Sequence, residues 1–228
     1  MNIKLLILKR RLISSLQTNL KSIAFLVILM IATGFCSNIQ AQITSFPYLE
    51  DFEDNSSGWV SGTQTSTANT SNTIDSNWSR NPDPVAQNDY NLYHWGVQND
   101  GTSTSGTGPQ FDNTSGTPSG QFVYVETSEG DVGDTATFTS PSIDITGLTN
   151  PELRFFYHMY GDDIDKLSIQ IDDGSGFIEV ADVVGEQQAT DSDPFEEKLI
   201  DLSTFSGIIE VRFEAFYGGW NDGDIAID

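Results

Sequence analysis

The stretch "ELRFFYHMYG", residues 152–161, decides how the rest of the chain is read. Read as a strand, Leu153, Phe155, Tyr157 and Met159 fall on one face, and Arg154, Phe156, His158 and Tyr160 on the other, because side chains alternate along extended backbone. The first set is a core face. His158 belongs to the opposite face, between Phe156 and Tyr160 and with no ligand-type neighbour in sequence, so it reads as a packing and hydrogen-bonding residue rather than a catalytic one.

The same period recurs on both sides. In "IIEVRFEAFYGG" (208–219), Ile209, Val211, Phe213 and Ala215 share a face opposite Glu210, Arg212 and Glu214. In "KLSIQIDDGSG" (166–176), Leu167, Ile169 and Ile171 oppose Ser168, Gln170 and Asp172, and a turn follows at Asp173-Gly174. "QFVYVETS" (121–128) is apolar on both faces and reads as a central strand, "DTATFTSP" (134–141) turns Ala136 and Phe138 inward, and "DIAID" (224–228) closes the pattern. Many short strands separated by polar turns, with no helix-period segment after residue 42, predict an all-β fold: a β-sandwich of two antiparallel sheets.

Residues 60–120 break the rhythm. Ser, Thr, Asn, Asp and Gly dominate, with Trp78, Tyr90, Tyr93 and Trp95 as isolated apolar anchors. A loop region of that length is expected to be ordered by those aromatics, held by an ion, or functional.

Charge is divided sharply along the chain. The first 42 residues hold five bases (Lys4, Lys9, Arg10, Arg11, Lys21) and no acid, while residues 43–228 hold all 33 acids against five bases, a charge of −28. Five scattered bases cannot neutralise a run of phosphates, which excludes nucleic acid as a partner. An 11% aromatic content and the alternating segments argue against disorder.

The basic start, the 13-residue apolar run from Ile23 to Phe35 and the small-residue approach to Ala41 read as a signal peptide over 1–41, followed by one domain over 42–228. The apolar run is short of the roughly 20 residues a membrane span needs. Cys36 is the only cysteine, and Phe35 before it opposes lipidation, so the exported domain is expected to be free of cysteine and of disulfides. The pattern still reads as strand at Asp228, which suggests a domain cut from a longer protein at its C-terminal end.

Catalytic machinery is hard to assemble from these residues. His94 and His158 stand 64 positions apart without a ligand-spaced partner, and no G-x-S-x-G turn occurs. Carboxylate pairs suited to glycoside hydrolysis arise by chance among 33 acids. The acid clusters at 50–54, 161–165, 171–173 and 221–228 offer the hard oxygen ligands that calcium takes, though none follows the twelve-residue helix-flanked loop. Trp95 and Trp220, in the polar settings "LYHWGVQND" and "GGWNDGD", are candidate ligand-facing aromatics for stacking on sugar rings.

Seven blocks occur in a recognisable order: "FPYLEDFEDNSSGWV" (46–60), "NWSR" (77–80), "SGTGPQFDNTSG" (105–116), "GQFVYVETS" (120–128), "TATFTSPSI" (135–143), "LRFFYHMYG" (153–161) and "VRFEAFYGGWNDGDIAID" (211–228). Together they resemble the MAM domain, the extracellular module of meprins, neuropilins and receptor-type tyrosine phosphatases. The resemblance implies a jelly-roll β-sandwich, a non-catalytic role in adhesion through a protein partner or self-association, and a structural calcium site at Glu53, Asp112 and Asp228. The paired cysteines of animal members are missing, and the stretch 81–102 is longer than the family pattern, so partner specificity does not carry over; the signal peptide and cysteine-free export fit a bacterial-type member. It places the chain in a secreted or cell-surface protein, joined to a membrane only through its parent. A carbohydrate-binding appendage of a secreted polysaccharide-degrading enzyme or peptidase is the alternative, and a hydrolase acting through unidentified carboxylates is a third reading.

Overall fold

In the computed structural model the residues described are 41–62, 72–87, 89 and 91–228. The expected signal peptide, apart from Ala41, lies outside them, as do Cys36 and Tyr90. Residues 41–228 form one compact unit.

Eleven strands are found there: β1 (Ser79–Asn81), β2 (Trp95–Asn99), β3 (Gln121–Val125), β4 (Thr135–Thr139), β5 (Ile143–Asp144), β6 (Glu152–His158), β7 (Lys166–Asp172), β8 (Ile178–Val184), β9 (Glu196–Asp201), β10 (Ile208–Phe216) and β11 (Ile225–Ile227). Helix is confined to α1 (Pro84–Gln87) and a 3-10 turn at Thr127–Glu129. No helix among the described residues is long and apolar enough to cross a membrane.

The strands form two antiparallel sheets. One runs β1-β4-β10-β7-β8, with β5 also paired to β10, and the other runs β2-β3-β11-β6-β9. The alternating segments supply both inner faces. Ile209, Val211, Phe213 and Ala215 of β10 and Leu167, Ile169 and Ile171 of β7 are buried against Val123, Val125, Phe155, Tyr157, Ile225 and Ile227 of the second sheet. β10 is central because both its neighbours pair along it, at Phe213↔Phe138 and Phe213↔Ile169.

One end of this core is aromatic. Phe52, Trp59, Trp78 and Trp95 surround Phe138, and Trp78 stacks on it at 4.7 Å and 14°. Phe52 enters this cluster from a backbone with φ of 56°, a conformation rare for a bulky residue and sustained here by burial of its ring.

The region expected as a long loop is only partly one, since β1, α1 and β2 lie within it. Trp95 corrects the reading of a ligand-facing ring. It is fully buried, and its indole N–H donates to the Ala136 carbonyl at 2.9 Å across the sandwich. Its polar neighbour His94 is buried too, and Gln98 and Asn99 continue the same strand, of which only Asn99 is exposed.

Candidate functional site

The outer face of the second sheet is covered as well. Phe122, Tyr124 and Ala226 form a small second cluster with Phe195, and His158 packs its ring 5.4 Å from Phe195. The segment 100–120 runs along this face, pinned at several points. Gly108 N–H and the Thr107 hydroxyl donate to the Tyr160 carbonyl at 3.0 and 2.9 Å, and Gln110 N–H donates to the Asp191 carbonyl at 2.7 Å.

At the far end of β11 the predicted carboxylates meet. Asp228 accepts the N–H groups of Asn113 (2.8 Å) and Thr114 (2.9 Å) and the Thr114 hydroxyl. Asp112, buried, accepts from the N–H groups of Ser115 and Thr117 and from the Ser115 hydroxyl. Its carboxyl lies so close over Gly120 that a β-carbon there would collide with it. Glu53 accepts Gln121 N–H at 2.9 Å, while the Phe52 carbonyl accepts the Gln121 side-chain amide at 2.8 Å. The chain's opening segment, the long loop and the last strand are thus joined through three residues distant in sequence.

Burial raises the pKa of Asp228 to about 7, with the Asp112 charge adding and the two backbone N–H groups opposing. Burial also raises Glu53, and Asp112 lies against it. These are hard oxygen donors of the kind calcium takes. Among the described residues, however, no three His, Cys, Asp or Glu side chains are grouped to hold one ion. Much of the oxygen surface of Asp112 and Asp228 is directed at backbone N–H groups of the loop, so this end works as a hydrogen-bonded clasp.

The two remaining predicted residues separate. Trp95 is core, whereas Trp220 is 68% exposed. His158 is fully buried and packs as expected; neither ring nitrogen is in a close hydrogen bond, and the polar backbone at Asp193 and Thr190 lies nearest to it. Burial lowers its pKa to about 4, against the pull of Asp193 and of the backbone at Asp193 and Thr190. His94 is lowered to about 4 for the same first reason.

Sequence reasoning missed a feature at the open side of the sandwich. The outermost strands β8 and β9 border a groove of about 460 Å³ lined by Ile178, Val180, Ala181, Leu199, Ile200 and Phe205. Ile178 and Leu199 are each about half exposed, at 54% and 51%. Glu179, Asp182, Glu197 and Asp201 sit on the same two strands beside one Lys198. The signal was present in "FIEVADVV" and "EEKLIDL", where apolar residues occur on both faces, but only the sheet order shows that both segments are outermost.

The family described as "MAM domain, meprin/A5/mu" matches residues 84–228. Neuropilin-1a of Danio rerio is 30% identical over 141 residues, covering 60% of this chain and 14% of that protein. MAM domain-containing glycosylphosphatidylinositol anchor protein 1 of Homo sapiens is 32% identical over 124 residues, covering 54% of this chain and 12% of that protein. The chain therefore spans less than a sixth of the length of these relatives. Among solved structures, the K1 cleaved adhesin domain of Lys-gingipain from Porphyromonas gingivalis W83 aligns with a TM-score of 0.45 and 15% identity, covering 78% of this chain and 92% of that one. A structure of TmCBM61 in complex with beta-1,4-galactotriose aligns with a TM-score of 0.40 and 11% identity, covering 79% and 95%.

Proposed function

Because the chain belongs to the MAM domain family, we propose that it is a non-catalytic extracellular adhesion module of a larger secreted or cell-surface protein, and that it binds a protein partner at the open edge of its sandwich. The observation that carries the location is the groove between β8 and β9. Each strand is the last of its sheet, so each offers unpaired backbone groups, and the apolar floor between them is exposed.

The partner is an extended segment with apolar residues flanked by Lys or Arg. Such a segment adds a strand to an edge, buries its alternate side chains in the groove and meets acidic residues on either side. Two copies of a domain carrying a charge of −28 repel each other, which disfavours self-association in low salt.

Panning a displayed random-peptide library on the domain tests this. Enriched sequences should pair apolar with basic residues and lose at least tenfold in affinity with Leu199→Glu. Binding confined to a glycan array and abolished by Trp220→Ala would replace this reading with the carbohydrate-binding one.

Calcium at Glu53, Asp112 and Asp228 belongs to the same proposal, as reinforcement of the clasp. Its support is the repulsion that Asp112 exerts on Glu53 and on Asp228, which a cation beside Asp112 would relieve. A melting temperature that rises in calcium by more in the wild type than in Asp112→Asn is the expected outcome; equal melting with and without chelator rejects the ion.

A further inference from the structure

At the opposite end of the β3–β11 pair lies a second acidic site that the clasp does not involve. The pairing Ile225↔Val125 and Ala226↔Tyr124 continues outward to bring Asp224 beside Glu126, next to Tyr124 on the same face of the sheet. Asp224 is completely buried and Glu126 is 4% exposed.

Glu126 is well supplied with donors: Ser128 N–H at 2.9 Å and the hydroxyls of Ser103 at 3.1 Å and Thr104 at 3.5 Å. Asp224 is supplied on one side only. Its Oδ1 accepts the N–H and hydroxyl of Thr127 at 3.0 and 3.2 Å, while its Oδ2 has no partner. The hydroxyls of Tyr93 and Tyr124 are also buried without a partner, and both feel the charge of Asp224.

The Thr102 hydroxyl, which donates to the Thr107 carbonyl at 2.8 Å, also lies beside Asp224 and favours its charged form. Among the described residues the ion pairs are Arg80 with Asp83, Arg154 with Glu197 and Lys166 with Glu179, and none includes Asp224 or Glu126.

Burial and the neighbouring Glu126 both disfavour an ionised Asp224 that has no counter-charge. Either a proton or a cation must be there. A proton on Oδ2 would serve Asp224 alone, whereas a cation would be shared by the oxygens already assembled around it. Two carboxylates balance a divalent charge, and an all-oxygen set of carboxylates and hydroxyls suits a hard ion with adaptable geometry.

We infer that Asp224 and Glu126, with the hydroxyls of Thr102 and Tyr124, form a binding site for a hard divalent cation of the calcium type at the end of the β3–β11 pair. The ion would lock the segment 221–224, already joined to the loop by Asp224 N–H donating to the Thr107 hydroxyl at 2.8 Å, onto the start of the turn at Thr127.

Terbium, which replaces calcium and luminesces when excited through nearby aromatic rings, is the probe. With purified protein, emission under tyrosine excitation should saturate at sub-millimolar terbium in Asp228→Asn, which takes the clasp out of play, and fall at least tenfold when Asp224→Asn is added. Tyr124→Phe should reduce the affinity severalfold. In parallel, calcium should raise the melting temperature of wild type and of Asp228→Asn, and leave the double variant Asp224→Asn with Asp228→Asn unmoved. If Asp224→Asn does not fold, Glu126→Gln takes its place with the same expectations. Emission that survives both substitutions, emission lost in Asp228→Asn instead, or an Asp224→Asn protein as stable as calcium-loaded wild type each overturns the site; the last would assign a proton to Asp224.

Discussion

His158 shows how a residue's place in a sheet determines its chemistry. Alternation along "ELRFFYHMYG" puts it on the face opposite Phe155 and Tyr157, and pairing with Ala226 holds it fully buried under Phe195, with neither ring nitrogen in a close hydrogen bond. Its pKa of about 4 when folded lies below the ordinary 6.5, so on acidification the unfolded chain takes up the proton first. No stability is lost above pH 6.5, and the loss grows as pH falls from 6.5 toward 4, reaching roughly 2 kcal/mol at pH 5. His158→Phe keeps the ring and removes both orphaned nitrogens. Urea unfolding should find this variant at least as stable as wild type at pH 7 and about 2 kcal/mol less sensitive to a shift from pH 7 to 5. Equal acid sensitivity in the two proteins would show that His158 titrates normally. Its face was legible in the sequence; its lack of partners was not, because Phe195 and the segment above it arrive from nearly forty residues away.

Among the elements, those with clean alternation were readable and those whose role depends on neighbours were not. β6, β7 and β10 declare their inner faces through period two alone. β2 does not, since every residue from Trp95 to Gln98 is buried under structure supplied by β3 and by the segment beyond it, and no local pattern distinguishes such a strand from a loop with two anchors. The long segment 100–120 was recognised as needing support, and its support is largely hydrogen bonding. Thr107 carries a large share, donating to Tyr160 and accepting from Asp224 N–H. Thr107→Val, nearly the same shape, leaves the Asp224 N–H unpaired, while the Tyr160 carbonyl keeps Gly108 N–H, and should cost about 1–3 kcal/mol, with faster proteolysis inside 100–120 as the readout. Gly120→Ala should be worse, because the new methyl displaces the Asp112 carboxyl from its contacts with Ser115 and Thr117. At the aromatic end, Phe138→Ala removes the ring on which Trp78 stacks and should cost about 3–5 kcal/mol in denaturant unfolding, with loss of near-UV tryptophan dichroism. A cost under 1 kcal/mol would mean that the four surrounding rings close the gap by themselves.

Over the whole molecule, the charge of −28 was the most accessible property of the sequence and also decides how the domain should respond to its medium. A compact body with 33 acids and five bases is destabilised by its own repulsion, since unfolding moves like charges apart. The Debye length falls from about 30 Å at 0.01 M salt to about 8 Å at 0.15 M, the range in which repulsion across a domain is screened while buried contacts are barely affected. The melting temperature should therefore rise by several degrees between 10 and 150 mM sodium chloride and then level off. Magnesium chloride at matched ionic strength should reproduce that rise if the acids act only as a diffuse field, whereas calcium should add a separate increment that saturates at millimolar concentration if an ion is held. Asp224→Asn and Asp112→Asn divide that increment between the two ends of the β3–β11 pair, because substitutions so far apart are expected to act additively. The binding groove obeys the same field with opposite consequence: salt that stabilises the domain weakens its attraction for a basic partner. Affinity for a Lys-flanked peptide should fall as melting temperature rises over the same titration, and affinity indifferent to salt would remove the acidic rim from the binding mechanism while leaving its apolar floor.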